Sequence, residues 1–237
     1  MHHLPAQAKI AGALACVLAV VATPREVVWA FGVHLLVLLV VWAVAGIPVR
    51  WFATRSVIEL PFVVLAVLLP FSGGTPRVQV LGASLSVAGL YAAWNILAKG
   101  TLGVLVSLTL AGSTPLRDLV VGLQRLRTPA MVTTIATLML RYLDVIAGEA
   151  RRMRIARISR GHDPRFLHQV AATARGAGSL FIRSYERGER VHLAMLSRGW
   201  AGALPSAGAP ATRAQWTAAL LPAAAMAATT AIAWTVR

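Results

Sequence analysis

Long apolar segments, separated by proline, glycine and charged residues, dominate the pattern along the chain. The runs cover residues 10–22, 27–47, 57–70, 80–97 and 101–111, then a sixth that begins at 128 and continues through 140 toward the basic region, and a last at 216–234. A helix that crosses a bilayer needs about 20 apolar residues, which the second, sixth and last runs supply. The first, third and fifth runs are short, and we interpret the first as a retained helix rather than a removed signal. The pattern predicts an all-α integral membrane protein with five to seven membrane helices.

Composition supports a membrane protein and excludes two other classes. Apolar residues make up 57% of the 237 residues and charged residues only 13%, with a mean hydropathy of +0.69. A soluble domain is nearer a quarter charged, and a disordered chain is far less hydrophobic. Cys16 is the single cysteine, so an internal disulfide is excluded.

Positive charge is concentrated near the C-terminal end. The 23 basic and eight acidic residues give a formal net charge of +15, and eleven arginines lie within residues 151–198. Because basic loops next to membrane spans stay in the cytoplasm, this region should be cytoplasmic. We predict membrane helices over residues 1–148, a cytoplasmic region over 149–213 and a final membrane helix over 214–237. No nucleic-acid-binding motif accompanies the charge, so nucleic acid is not an expected partner.

The basic region contains an internal repeat. Residues 152–161 (RMRIARISRG) align with residues 190–199 (RVHLAMLSRG), and five of the ten positions are identical. In each copy Arg, Ala and Arg recur every four residues, which places them on one helix face. Each copy ends in Ser-Arg-Gly, and glycine is favoured just beyond a helix terminus. The repeat predicts two short helices, each with an arginine at its C-terminal end; Pro164 and Pro205 follow them.

Two interpretations of these arginines are open. A cation at a helix C-terminus complements the helix dipole, which stabilises by about 0.3–1 kcal/mol. Capping does not require a matched upstream Arg and Ala, however. Two similar helix ends would fit two similar binding sites on a partner. Arg160 and Arg198 would then bind acidic residues of a dimeric or pseudo-symmetric cytoplasmic partner, because a guanidinium binds a carboxylate bidentately.

For other polar residues near the apolar runs we expect local ion pairs or contacts with lipid. Arg141 and Asp144 are spaced to face each other, either as a link to the cytoplasmic region or as a local ion pair. Arg55 and Glu59 are spaced for a local pair. Lys99, which separates the fourth and fifth runs, is expected to reach a lipid headgroup.

The chain has no recognisable catalytic or nucleotide-binding motif. A phosphate-binding Gly-x-x-x-x-Gly-Lys-Ser/Thr loop, His-Glu-x-x-His and Gly-x-Ser-x-Gly are all missing from the sequence. We therefore expect no catalytic residues, no metal ligands and no cofactor on this chain. His34 is interpreted as a packed or water-contacting histidine, and His2 and His3 as incidental terminal residues.

Several motifs together resemble the transmembrane T component of energy-coupling-factor transporters, most closely its cobalt-type CbiQ family. The specific motifs are the two Ser-Arg-Gly helix ends, where the family has Ala-Arg-Gly. Supporting motifs occur in the family's order: Arg141-Tyr142-Leu143, Glu149-Ala150-Arg151-Arg152-Met153 and Arg183-Ser184-Tyr185-Glu186-Arg187. Weaker matches are Leu4-Pro5 with Lys9, and Thr114-Pro115 with Leu123, Leu126 and Pro129.

The resemblance implies a non-catalytic coupling subunit of an ATP-driven cobalt transporter. It implies an L-shaped protein whose cytoplasmic coupling helices dock on two ABC-type ATPase subunits, which bind ATP, and link them to a substrate-binding membrane subunit. The implied ATPase-coupling residues are Ala156, Ser159, Arg160, Gly161, Ala194, Ser197, Arg198 and Gly199. The implied supporting residues are Arg141, Asp144, Glu149, Arg152, Glu186 and Arg190.

A second function class is an intramembrane enzyme, or a membrane scaffold whose basic loop binds anionic lipid. A lipid-binding loop predicts dispersed Lys and Arg residues and strongly salt-dependent binding. The duplicated helix ends, which carry only arginine, favour the coupling subunit. The sequence leaves open whether the ion is cobalt or nickel, or the cargo a vitamin.

The predicted topology can be tested by cysteine labelling. Ser179→Cys should react with a membrane-impermeant thiol reagent only in inverted vesicles, because the arginines hold this region in the cytoplasm. A cysteine added at the C-terminus should react from outside intact cells, since the last run spans once. Reaction of Ser179→Cys from outside intact cells would contradict the orientation.

Overall fold

A computed structural model describes residues 4–71, 77–80, 83–161, 170–205 and 210–236, and these are helical almost throughout. The α-helices are α1 (Ala6–Ala22), α2 (Val28–Ala45), α3 (Val49–Arg55), α4 (Leu60–Leu68), α5 (Val87–Ser113), α6 (Leu116–Arg125), α7 (Ala130–Ser159), α8 (Val170–Leu196) and α9 (Arg213–Thr235). Two 3-10 turns, Ser56–Glu59 and Leu69–Phe71, flank α4. Strands β1 (Arg77–Val80) and β2 (Ala83–Ser86) form an antiparallel hairpin, in which Arg77 pairs with Ser86.

The predicted fold class is confirmed. Five helical segments are long and apolar enough to cross a membrane, namely Val28–Ala45, Val49–Phe71, Val87–Ser113, Ala130–Ser159 and Arg213–Thr235. Helix α1 is apolar but shorter, at 17 residues. The chain divides into two compact units, one of Met1–Leu123 with Gly208–Arg237 and one of Gln124–Ala207.

Small residues bring α1 and α9 close together in the first unit. A Cβ on Gly12 would lie 2.5 Å from the carbonyl oxygen of Ala219, so only glycine fits at this contact. Around it Cys16, Val20 and Met226 are buried in a core that α2 and α5 complete. Because apolar burial does not drive association inside lipid, close backbone approach of this kind is what helices in a membrane depend on.

The two lysines of the chain connect α1 and α5 reciprocally. Lys9 of α1 donates from Nζ to the Ser113 carbonyl at 3.0 Å and to Thr114 Oγ1 at 3.3 Å, at the C-terminal end of α5. Lys99 of α5 donates from Nζ to the Val21 carbonyl at 2.8 Å, at the end of α1. The last carbonyls of a helix have no partner within it, so each lysine satisfies the other helix's end. The predicted contact of Lys99 with a lipid headgroup stays a prediction, since this bond uses one of its three N–H donors.

His34 is a packed histidine, as predicted. It is fully buried on α2, and its Nε2 lies 3.2 Å from the Met226 carbonyl of α9 and 3.4 Å from Thr230 Oγ1. Thr230 also donates to the Ala19 carbonyl at 3.1 Å, so the group joins α1, α2 and α9. A buried polar group needs such partners, and this histidine therefore has a structural role.

The predicted break at Lys99-Gly100 is wrong. The fourth and fifth runs form one 27-residue helix, α5, which begins at Val87 rather than Val80, because residues 77–86 form the hairpin. A glycine inside a helix costs about 1 kcal/mol without ending it, and the bond from Lys99 to Val21 removes the other reason for a break.

The third run is longer than the sequence pattern indicated. Its helical segment begins at Val49 and includes Arg55, whose guanidinium lies 4.1 Å from the centroid of a Trp51 ring. The predicted pair of Arg55 with Glu59 does not form, because Glu59 Oε2 instead accepts from Thr101 Oγ1 of α5 at 3.5 Å. A cation–π contact within the helix has replaced the expected ion pair.

The contact between α1 and α9 leads to a prediction about stability. Gly12→Ala should lower the free energy of unfolding by about 1–3 kcal/mol, because its Cβ must displace the backbone of Ala219. Gly103→Ala, on α5 with no heavy atom within 4 Å of the new Cβ, is the matched control and should be neutral or stabilising by up to about 1 kcal/mol. Thermal unfolding in detergent measures both, and equal effects would contradict the close packing.

Candidate functional site

Helices α7 and α8 are joined by one carboxylate in the second unit. Glu149 of α7, with its side chain 12% exposed, accepts from Arg183 Nη1 at 3.2 Å and from Arg187 Nη2 at 2.9 Å. The two arginines are four residues apart and therefore lie on one face of α8. Residues 131–146 line a cleft with residues 184–195, and residues 149–160 line another with residues 175–187. The helices thus run in opposite directions and meet at Glu149.

The two copies of the repeat end their helices in the same way. Arg160 and Arg198 follow the last helical turns of α7 and α8, and Gly161 and Gly199 have positive φ values of 81° and 77°. The Gly199 N–H donates to the Leu196 carbonyl and the Trp200 N–H to the Met195 carbonyl, both at 3.0 Å, which is a Schellman motif. The Gly161 N–H makes the equivalent bond to Ile158 at 2.9 Å.

The match extends to the side chains. Ser159 Oγ donates to the Ala156 carbonyl and Ser197 Oγ to the Ala194 carbonyl, each at 3.1 Å. A Cβ on either terminal glycine would meet no atom within 4 Å, so the left-handed backbone, and not close packing within the chain, requires glycine. The sequence predicted two short helices, but α7 has 30 residues and α8 has 27.

The repeat also places apolar side chains in solvent at matched positions. Ile155 and Leu193 are 58% and 63% exposed, and Ile158 and Leu196 are 45% and 48% exposed. All eight predicted coupling residues are exposed as well. The two helix ends therefore present matching surfaces, each with two large apolar side chains beside a charged terminus. In the sequence these four residues are the two positions of the repeat at which Ile exchanges for Leu. The sequence analysis did not identify them as part of a surface.

The predicted supporting residues have different surroundings. Arg141 and Asp144 are both exposed on α7 and form no ion pair there; the Arg141 guanidinium lies 5.9 Å from the Tyr142 ring instead. Arg152 is exposed, and its Nη1 lies 3.6 Å from the position of a Cβ on Gly148. Glu186 and Arg190 are exposed on α8 and make no ion pair within the described part of the chain. Of the six, Glu149 has the clearest structural role.

Sequence reasoning missed the role of Arg183 and Arg187. Both belong to a motif that was noted, but the supporting role there was assigned to Glu186. Their spacing of four residues predicts that they lie on one face of a helix. That this face meets Glu149 follows only from the packing of α7 against α8.

An apolar cleft of about 610 Å³ lies between α7 and α8 beyond Glu149. Its wall carries Met131, Ile135 and Met139 of α7, all exposed. Three buried polar atoms that line it have no hydrogen-bond partner in the described chain: Thr134 Oγ1, Arg187 Nη1 and Trp200 Nε1. Buried polar groups are normally satisfied, so these atoms can bond water, a partner or residues outside the described ranges.

No group of three or more His, Cys, Asp or Glu residues able to hold a metal ion occurs within residues 4–71, 77–80, 83–161, 170–205 and 210–236. His2, His3 and Pro164, which the sequence analysis named, lie outside these described ranges. Pro205 follows α8 as an exposed residue, as expected for a position beyond a helix end.

The fold and its paired helix ends define a polytopic helical membrane protein with two equivalent basic termini. A family model described as "Cobalt transport protein", CbiQ, matches residues 1–207. The chain therefore belongs to the CbiQ family, and the predicted resemblance is confirmed.

Individual relatives agree with the family. The cobalt transport protein CbiQ of Rhodobacter capsulatus is 31% identical over 67% of this chain and 63% of its own length. A fused cobalt transport protein CbiMQ of Methanocorpusculum labreanum is 30% identical over 56% of this chain and 22% of its own. An uncharacterized protein of Methanocaldococcus jannaschii is 29% identical over 67% and 61%. The chain thus spans less than two thirds of the length of each relative it matches.

The ion pairs of Glu149 lead to the next prediction. Glu149→Gln should lower the melting temperature of the chain, because it weakens two charge-assisted bonds that join α7 to α8. Glu189→Gln removes the same charge from an exposed position on α8 and should change stability by less than about 0.5 kcal/mol. The measurement is thermal unfolding of the purified chain in detergent, and equal losses would show that Glu149 does not hold the helices together.

Proposed function

We propose that this chain is the transmembrane coupling subunit of an ATP-driven cobalt uptake transporter. In this role Arg160 and Arg198 each enter a groove of one ATPase subunit. Motion of the ATPase dimer is then transmitted through α7 and α8 to a substrate-binding membrane subunit.

One observation supports the proposal: the two helix ends share three described features. They have the same glycine conformation, the same Ser-to-Ala hydrogen bond and the same exposed apolar pair beside the arginine. The glycine conformation belongs to the helix cap itself, whereas a cap does not need the matched serine or the exposed apolar pair. Two copies of one binding site do need them, and two identical or homologous ATPase subunits would provide such sites.

Glu149 is suited to transmit motion between the two ends. By the rise of an α-helix, Gly161 lies about 18 Å along α7 from Glu149, and Gly199 about 20 Å along α8 from its contact with that residue. A displacement at either end therefore acts through long rigid elements on one shared contact. Its two arginines come from the same turn of α8, which restrains sliding of the helices.

The apolar cleft supports docking of the membrane subunit. Its exposed methionines adapt to a partner's surface, and its unpartnered donors require acceptors that a partner provides. A relative whose name describes a fused CbiMQ protein supports a close partnership between a CbiQ-type chain and another transporter component.

We assign no catalytic step to this chain. Cobalt selection belongs to the membrane partner and ATP binding to the ATPase subunits, so no cofactor is proposed here. An intramembrane enzyme is the weaker alternative, because the polar residues buried in the first unit, such as His34 and Lys9, are used in bonds between helices.

Substitution of the two arginines tests the proposal. Arg160→Ala or Arg198→Ala alone should impair ATPase binding, and the double variant should nearly abolish cobalt uptake. Truncating one partner of a desolvated charge pair costs about 2–5 kcal/mol, and two linked sites partly compensate for each other. Glutamate at either position should be worse than alanine, because it places like charges together in the groove.

Arg151→Ala is the matched control, since Arg151 is an exposed arginine of α7 outside the repeat. ATPase co-elution and cobalt uptake are measured at equal membrane expression. Small and equal effects of all three single substitutions would reject specific coupling in favour of a diffuse electrostatic surface.

A further inference from the structure

We infer that the arginine-rich cleft between α7 and α8 is a binding site for a phosphate-bearing anion, which shares Arg160 with the first helix end but does not include its exposed apolar pair. The cleft, about 720 Å³ in volume, lies on the other side of Glu149 from the apolar cleft. The inference does not depend on the proposed coupling function.

The cleft is concave and formed by both helices. Met153 and Ala156 of α7 face Gly176 and Ser179 of α8 across it, and six arginines complete its lining: Arg152, Arg157, Arg160, Arg175, Arg183 and Arg187. Arg157 extends toward α8, with its Nη1 3.5 Å from where a Cβ on Gly176 would stand. A methyl group at Gly176 would only touch this guanidinium, whereas a larger side chain would occupy the space beside it.

The charge of the cleft is not balanced by its lining. Among the described lining residues Glu149 is the one carboxylate, and it is already bonded to Arg183 and Arg187. Within the same described ranges Arg152, Arg157 and Arg175 have no carboxylate at ion-pair distance. Like charges held around one concavity repel one another, and a low-dielectric wall focuses their field. A multivalent anion would remove this repulsion.

Phosphate is the anion whose chemistry fits this lining. Several guanidinium groups can each donate two parallel N–H bonds to phosphate oxygens, which an ammonium group cannot do. An apolar stretch of α7 precedes the cleft along the helix, as expected of a basic site near a bilayer, where lipid phosphates are concentrated. A lipid headgroup and a soluble phosphate share the same chemistry, so the experiment has to separate them.

The test measures binding to the purified full-length chain in neutral detergent. Phosphatidylglycerol is added in mixed micelles in one arm and inorganic phosphate in another, with phosphatidylcholine as the zwitterionic reference. The readout is the rise in melting temperature with ligand concentration, from which Kd follows. We expect saturable binding of at least one of the anionic probes and much weaker binding of phosphatidylcholine. Response to phosphatidylglycerol alone identifies a lipid site, and response to phosphate as well identifies a site for free anions; both support the inference.

Two kinds of variant connect binding to the cleft. Arg157→Gln with Arg175→Gln should raise Kd at least tenfold. Arg151→Gln with Arg154→Gln removes the same charge from exposed positions of α7 outside the cleft and should raise Kd less than threefold. Gly176→Leu keeps the net charge but fills the space beside Arg157, and it should also weaken binding at least tenfold. The circular dichroism of every variant without ligand should match that of the unsubstituted chain.

Three results would overturn the inference. Saturable binding of neither anionic probe would show that the cleft is not an anion site. Equal weakening in the cleft and control variants would show a diffuse surface charge. Loss of ATPase co-elution in the cleft variants, with anion binding unchanged, would assign these arginines to a protein contact.

Discussion

The Glu149 carboxylate is the interaction on which the arrangement of α7 and α8 depends. It is nearly buried, it lies where the two helices meet, and it accepts from two arginines of one turn of α8. Around it the region is strongly basic, so without this acid the facing helices would repel each other. Loss of the acid would leave Arg183 and Arg187 facing α7 without their carboxylate. One acid therefore holds together two helices whose other charges are available for contacts outside the chain.

The first unit, of Met1–Leu123 with Gly208–Arg237, is stabilised by close backbone contacts and by polar side chains that bond helix ends. In it, backbones approach closely at Gly12 and at Gly89, where larger residues would clash with Ala219 and Leu69. Polar side chains then satisfy helix ends, as Lys9 does for α5 and Lys99 for α1. Both kinds of contact are expected between helices in a membrane, because lipid supplies neither hydrogen bonds nor a hydrophobic driving force between helices. The positions of these polar residues are thus explained without assigning them a role in transport.

The second unit presents arginines and apolar side chains together on its surface. Exposed isoleucines and leucines of α7 and α8 lie beside the two helix ends, and a cleft between the helices is lined by arginines. Buried polar atoms without a partner in the described chain occur in both units, such as His34 Nδ1 in the first and Thr134 Oγ1 in the second. The combination of arginines with apolar surface on α7 and α8 therefore distinguishes the second unit, and unsatisfied atoms do not.

The sequence by itself determined the class of this protein, because hydropathy, arginine clustering and the repeat that ends at Arg160 and Arg198 are local patterns set by bilayer thickness and helix periodicity. It also indicated the glycine caps and the packed His34. It misplaced the break at Lys99 and suggested a pair between Arg141 and Asp144, since spacing shows which residues can meet but not what else competes for them. The salt bridges of Glu149, the apolar cleft and the cationic cleft were decided only by the tertiary structure, because each combines residues of two helices that only packing brings together.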